Sequence, residues 1–133
     1  MATIIKTWAA SAKLGETAAY GGSTAVIAAD QAFDYATTVD LRTSGNQGAQ
    51  VQIEFRGSNS KNKLIVQVFG SLDGTVFDSE PFQSYEIRNT GKPQQISFLV
   101  EGLAYFRVGM KSSGTDTTFE YEINQQKWIL TNA

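Results

Sequence analysis

The chain has 133 residues and contains neither cysteine nor histidine. Disulfides, thiolate nucleophiles and imidazole acid–base chemistry are therefore excluded, and zinc loses its two commonest ligands. Proline is nearly as scarce, at two residues, and charged side chains make up only 18% of the sequence. A formal net charge of −2 supplies no broad basic field, which argues against nucleic acid as a partner. No apolar run approaches the roughly 20 residues that a membrane-spanning helix needs, so no membrane partner is expected. Lys6 interrupts Ile4-Ile5 at once, unlike the basic-then-apolar order of a secretory signal, and the expectation is synthesis in the cytoplasm.

Sites for chemistry are equally thin. Gly45-Asn46-Gln47-Gly48 and Gly21-Gly22 lack the lysine and the strand-to-helix setting of a phosphate loop. Asp73, Asp78 and Glu80 lie close in sequence, with Asp116 on a later loop, but their spacing matches no EF-hand. Asp73-Gly74 reads as a turn, and no two carboxylates are paired as a glycosidase would require. Arg42, Arg56, Arg88 and Arg107 are scattered over different strands and read as outward-facing residues. The expectation is a protein without enzyme activity, cofactor or metal.

What the sequence does have is alternation. With 41% apolar residues it suits one folded domain able to bury roughly 65–70% of its unfolded surface. Its most strand-committed stretch is Leu64–Asp78, LIVQVFGSLDGTVFD. Leu64, Val66 and Val68 point one way, while Ile65 and Phe69 load the other face. Ser71-Leu72-Asp73-Gly74 then predicts a tight turn into a second strand, with Gly74 able to adopt positive φ.

Before this stretch, residues 1–24 are rich in Ala, Ser, Thr and Gly, with Ile4, Ile5 and Trp8 as anchors. Ile4, Trp8 and Ala12 recur at helical spacing, but no cap is present and Gly15, Gly21 and Gly22 oppose a helix. Two readings stand: an extended N-terminal arm over 1–24 that buries Ile5 and Trp8 on another surface, or a first strand packed on its own domain. The domain proper is placed at 25–133.

Strands are predicted over Ala25–Ala29 and Ala36–Leu41, separated near Asp30-Gln31, and a loop over Thr43–Gly48. Val51, Ile53 and Phe55 then face in, with Gln52, Glu54 and Arg56 out. Shorter strands are expected at Val76–Asp78 and Phe82–Ile87, with Pro81 marking an edge or bulge. Further inward faces are Ile96/Phe98/Val100, Phe106/Val108/Met110 and Phe119/Tyr121/Ile123, and Trp128–Leu130 forms a last strand or a tail. Strands so closely spaced, with polar glycine-containing turns, predict an all-β antiparallel sandwich or jelly roll of about eight strands with an extended N-terminal arm.

The candidate exposed aromatics are Trp8, Tyr20, Tyr85, Tyr105 and Trp128. Asn124, Gln125 and Gln126 precede Trp128, and amides beside an aromatic suit a sugar platform. Aromatics in β-proteins are nevertheless more often core or interface residues.

VQVFGSLDGTVFD and QISFLVEGLAYFRVGMKSSG, extended in style by FDYATTVDLRTSGNQGAQVQIEF, resemble the small β-sandwich proteins of tailed-bacteriophage virions, of the capsid decoration (cement) type. The resemblance implies a structural protein on the capsid surface of a virion. It further implies the major capsid protein as partner and a homo-oligomer, with a trimer favoured. Ile4, Ile5, Trp8, Tyr20 and Trp128 are the partner-binding candidates in that setting. The alternative is a carbohydrate-binding or fibre-type adhesion module using Tyr105 or Trp128. A tail or baseplate component shares the physics of the decoration reading.

Overall fold

A computed structural model describes residues 4–22, 26–29, 32–43 and 45–132. Among these residues the chain forms ten strands: β1 (Ile4–Trp8), β2 (Ala12–Glu16), β3 (Asp34–Tyr35), β4 (Val39–Asp40), β5 (Gly48–Gly57), β6 (Leu64–Ser71), β7 (Gln83–Ile87), β8 (Gln94–Glu101), β9 (Tyr105–Ser112) and β10 (Phe119–Asn132). A single 3-10 turn, Ala18–Tyr20, follows β2. Every pairing is antiparallel. Sheet 1 runs β1-β10-β5-β8, with β2 also on β10; sheet 2 runs β3-β9-β6-β7, with β4 also on β9. The all-β antiparallel sandwich expected from the alternation is what the chain forms.

The inner faces follow the period of two. Val51, Ile53 and Phe55 of β5 pair with Gln125, Ile123 and Tyr121 of β10 in register. Across the sandwich, Leu64, Val66 and Val68 of β6 pair with Ser112, Met110 and Val108 of β9. All three of these β6 side chains are fully buried, as are Phe55, Phe106 and Phe119. Each such side chain contributes about 1.5–3 kcal/mol through burial, and together they form one continuous core.

Three connections cross between the sheets at one end: 58–63, 88–93 and 113–118. With no disulfide to fasten them, asparagines do so. Asn59 donates to the carbonyl of Asp116 (2.7 Å), and the amide of Asp116 donates to Asn62 Oδ1 (2.9 Å). Asn89, only 4% exposed, donates to the carbonyl of Asn59. Thr117 is buried, donates to Asn59 Oδ1 and accepts from the amide of Asn62. Backbone groups that would otherwise be buried unpaired thus find partners.

Several expectations are corrected. Residues 4–16 are not a free arm but two edge strands, because β10 runs far enough to offer them its outer side: Ile4 pairs with Asn132 and Trp8 with Trp128, while β2 covers Glu122–Gln125. The expected 24/25 boundary lies outside the described residues, as do Ala25 and the Asp30-Gln31 separator. Of the strand expected over Ala25–Ala29, the described part holds one bridge, Ile27 to Phe119. Ala36–Leu41 is broken into β3 and β4, which lie in series along β9. The count is ten rather than about eight because both sheets have such divided edges.

The turn at 71–74 forms, with Gly74 at φ 79°, but Val76–Asp78 does not pair as a strand. Ser71 Oγ accepts from the Gly74 amide (3.0 Å) and donates to the Val76 carbonyl (2.6 Å). Asp73 accepts from the amides of Thr75 and Val76 (2.8 and 2.9 Å). These bonds use the backbone groups that a hairpin ladder would need. The chain touches β6 again through the Asp78 amide, which donates to the Gly70 carbonyl (2.9 Å), and the Phe82 amide, which donates to the Val68 carbonyl (2.7 Å). It resumes a ladder at β7, where Val68 pairs with Gln83.

Candidate functional site

The pleat that fills the core leaves two outer faces, and the outer face of sheet 1 is graded from end to end. Directly opposed residues share a face, so β10, β5 and β8 present transverse rows: Trp128–Gly48–Glu101, Gln126–Gln50–Leu99, Asn124–Gln52–Ser97 and Glu122–Glu54–Gln95. One end is aromatic, the middle is neutral amide, and the far end is charged. At the charged end Arg56 pairs with Glu120 (2.7 Å), and Lys13 bridges Glu16 (2.8 Å) and Glu122 (3.7 Å). The bond to Glu16 raises the Lys13 pKa above its ordinary value.

At the aromatic end the Trp128 ring lies against Gly48, where any Cβ would run into it. The Trp8 ring covers it at 5.3 Å and 56°, and Lys6 Nζ lies 4.5 Å from its centroid. Trp128 is therefore only 2% exposed, whereas Trp8 is 40% exposed. This corrects the expectation of Trp128 as an exposed platform: the exposed ring is Trp8, and Trp128 is its seat.

Between the two ends lies a hollow of about 140 Å³ lined by Ser11, Gln50, Gln52, Asn124, Gln125 and Gln126. Gln126 is held by donating to the carbonyl of Ala9 (2.8 Å), which leaves its Oε1 as an acceptor. Asn124 donates to Glu122 Oε1 (3.1 Å). No side-chain hydrogen bond within the described residues engages Gln50 or Gln52. Neutral donors and acceptors beside an exposed indole can meet vicinal hydroxyls and an apolar C–H face together.

The remaining sequence candidates are dispersed. Ile4 and Ile5 are exposed (65% and 46%) and, being adjacent on β1, point to opposite faces of the sheet edge. Tyr20 sits in the 3-10 turn beside Glu54, Pro93, Gln94 and Gln95, away from the tryptophan pair, and burial raises its pKa. Tyr85 packs against Phe98 (5.1 Å) beside the core, and Tyr105 lies against Gly74. The structure thus brings Trp8 and Trp128 together and leaves Ile4, Ile5 and Tyr20 outside that cluster. Lys6, Gly48, Gln50 and Gln52 were not singled out in the sequence. The available signal was a switch along two strands from charged outward positions (Glu54, Glu122) to neutral amides (Gln52 and Gln50, Asn124 and Gln126).

A larger cleft, about 420 Å³, opens between the sheets where β2 approaches β3, lined by Lys13, Glu16, Asp34 and Tyr121 among others. Burial raises the Asp34 pKa. Burial also pushes the Tyr121 hydroxyl up to about 12, with the Asp34 carboxylate adding to the rise. Both groups belong to the sandwich edge, and burial disfavours the charged form of each. Among the described residues no cluster of three or more Asp or Glu could hold a metal ion, and no helix is long and apolar enough to cross a membrane.

No family model matches the chain, and no curated protein matches it. Among solved structures, it is similar to the CBM36-1 domain of a multidomain xylanase from the hindgut metagenome of Trinervitermes trinervoides. The TM-score is 0.52 at 9% identity, covering 95% of this chain and 96% of that one. A mitogen from Yersinia pseudotuberculosis aligns at TM-score 0.40 and 8% identity over 94% and 86% of the two chains. A CBM4 structure aligns at 0.39 and 8% over 92% and 94%. At these identities the first likeness shows a shared β-sandwich fold.

Proposed function

We propose that this chain is a non-catalytic carbohydrate-binding module that takes a neutral glycan across the outer face of sheet 1. The observation that carries this reading is the neutral amide patch of Gln50, Gln52, Asn124 and Gln126 beside the exposed Trp8 ring. Trp8 stacks on the C–H face of one sugar, and the amides accept and donate to hydroxyls of the next. The likeness in fold to a carbohydrate-binding domain supports the same reading.

Calorimetric titration with neutral oligosaccharides of xylan, cellulose, β-glucan and mannan tests it. The chain holds only two tryptophans, and both lie on this face. The expected result is binding by at least one glycan with a shift in tryptophan emission. Trp8→Ala should weaken that binding about tenfold or more. An inert panel, or affinity unchanged in Trp8→Ala, overturns the reading.

A second reading has one observation in its favour. β1 pairs on one side only, and Ile4, Ile5 and Leu130 are exposed along it. An open, apolar sheet edge suits assembly, as in a virion protein that decorates a lattice of major capsid protein as a homotrimer. Light scattering on the purified chain checks this: a trimer that dissociates in Ile5→Lys supports it, and a monomer at all concentrations counts against it.

A further inference from the structure

The outer face of sheet 2 is built on another principle. Arg107 of β9 projects between two rings, its Cζ 3.8 Å from the Tyr35 centroid and 4.2 Å from that of Phe77. Tyr35 stacks on Phe33 (5.8 Å, 28°), and Lys111 Nζ lies 4.5 Å from the Phe33 centroid. The five groups form one continuous series, Phe77, Arg107, Tyr35, Phe33, Lys111, with the two cations set apart by the Tyr35–Phe33 stack. Phe69 closes it edge-on from β6. Gly109 lies between the two cations in β9 and makes room, since a Cβ there would come within 2.9 Å of Phe33 and 3.0 Å of Tyr35.

Stacking satisfies the faces of a guanidinium but none of its in-plane donors. Arg107 Nε is buried with no hydrogen-bond partner. Neither Arg107 nor Lys111 is within 4 Å of a carboxylate among the described residues, whose four ion pairs lie elsewhere. The nearest acids in sequence and register are Asp34, between Phe33 and Tyr35 and opposite Met110, and Asp40, opposite Tyr105. Next come Asp78, beside Phe77, and Glu86, which opposes Ile65 and pairs with Lys63 at 3.5 Å. The buried Nε is out of a ligand's reach, but no hydrogen bond among the described residues engages the two terminal Nη groups, which together can meet a planar, bidentate oxyanion such as a carboxylate end-on. Lys111 stands four residues along the same strand face, about 13 Å away at strand rise. Two cations so spaced suit a chain with repeated carboxylates better than a single small acid. The row between them, Tyr35–Gly109–Gln67–Ser84, holds an exposed phenol and a Gln67 amide that donates to Ser84 Oγ (3.1 Å), which leaves the Gln67 Oε1 and the Ser84 O–H for saccharide hydroxyls.

We infer that the outer face of sheet 2 is a second glycan site, specific for an acidic, uronate-bearing oligosaccharide whose carboxylate lies on Arg107. It shares no residue with the amide face of sheet 1.

Calorimetry with oligogalacturonate, its fully methyl-esterified form, dextran sulfate and polyglutamate tests the assignment. The parent should bind the free uronate and lose about tenfold or more on esterification, a comparison that needs no variant to fold. Arg107→Lys, which keeps the charge and loses the fork, should weaken uronate binding by about tenfold. Trp8→Ala should leave it unchanged. Equal affinity for free and esterified oligomers, or no binding of the free form, overturns the proposal. So does polyglutamate binding as tightly as uronate, which would make the partner an acidic protein surface. Dextran sulfate binding with Arg107→Lys unaffected would reduce the site to unspecific charge.

Discussion

The two outer faces of this sandwich solve one problem in opposite ways. Each carries aromatic rings that the core has no room for, and each seats them over a glycine. On sheet 1 Gly48 lies under Trp128, which is sealed by Trp8 and Lys6. The strands beyond are left with neutral amides. On sheet 2 Gly109 lies under Phe33 and Tyr35, with Arg107 slotted between Tyr35 and Phe77 and Lys111 over Phe33 at the end of the stack. The difference teaches that the inner faces decide the fold, while the outer faces of the same alternating strands are free to acquire distinct chemistry.

The largest effect that would sharpen this comparison comes from the two glycines. At Gly48 an added Cβ meets a buried indole and, at 2.7 Å, the Val100 carbonyl oxygen. Gly48→Ala should therefore cost about 1–3 kcal/mol in urea unfolding. At Gly109 the neighbours are the rims of partly exposed rings, which can shift, so Gly109→Ala should cost less, about 1 kcal/mol or under. Equal costs would break the distinction between a sealed cluster and an open one.

Salt should separate the faces more gently. Raising ionic strength from 0.05 to about 0.5 M should weaken uronate binding several-fold and leave neutral glycan binding nearly constant. Tryptophan emission adds a spectroscopic check, since uronate bound on sheet 2 should leave it unmoved.

The smallest effect concerns the loop leading off sheet 2. The Asp73 carboxyl is held below its ordinary value by bonds from the Val76 and Thr75 amides and from Ser71. A depressed carboxyl pKa adds stability above the unfolded pKa, and that stability is lost as pH falls through the folded value. Asp73→Asn should thus lower stability at neutral pH slightly, with the gap from the parent closing below about pH 4. A gap that persists at pH 2 would rule out the carboxylate as its source.

The core strands were legible because Val51/Ile53/Phe55 and Phe106/Val108/Met110 keep strict alternation, and burial follows alternation directly. Pairing was not legible, since it depends on residues far apart in sequence. Ile4 finds Asn132 only because β10 outruns β5. Trp128 defeated the sequence reading for a related reason. It sits in Trp128-Ile129-Leu130, apolar at both parities, and what buries it is a glycine 80 positions earlier in register with it. Arg107 was correctly read as facing outward. Its stack needs Tyr35 and Phe77, brought there by β3 and by a loop that the turn chemistry of Ser71 and Asp73 keeps from becoming a strand.

The position of β10 also sets the order in which the molecule can be assembled. It follows every other strand among the described residues, yet β1 and β2 take their places in sheet 1 only by pairing with it, and it joins them to the β5–β8 pair. As synthesis proceeds, Ile4, Ile5 and Trp8 precede residues 119–132 by more than 100 positions and wait unpaired until these have left the ribosome. Sheet 2 needs nothing beyond Ser112 for its strand pairings and can close earlier. Sheet 1 is thus the slow half, dominated by contacts of long sequence separation, and its oldest segment stays exposed to wrong partners for longest.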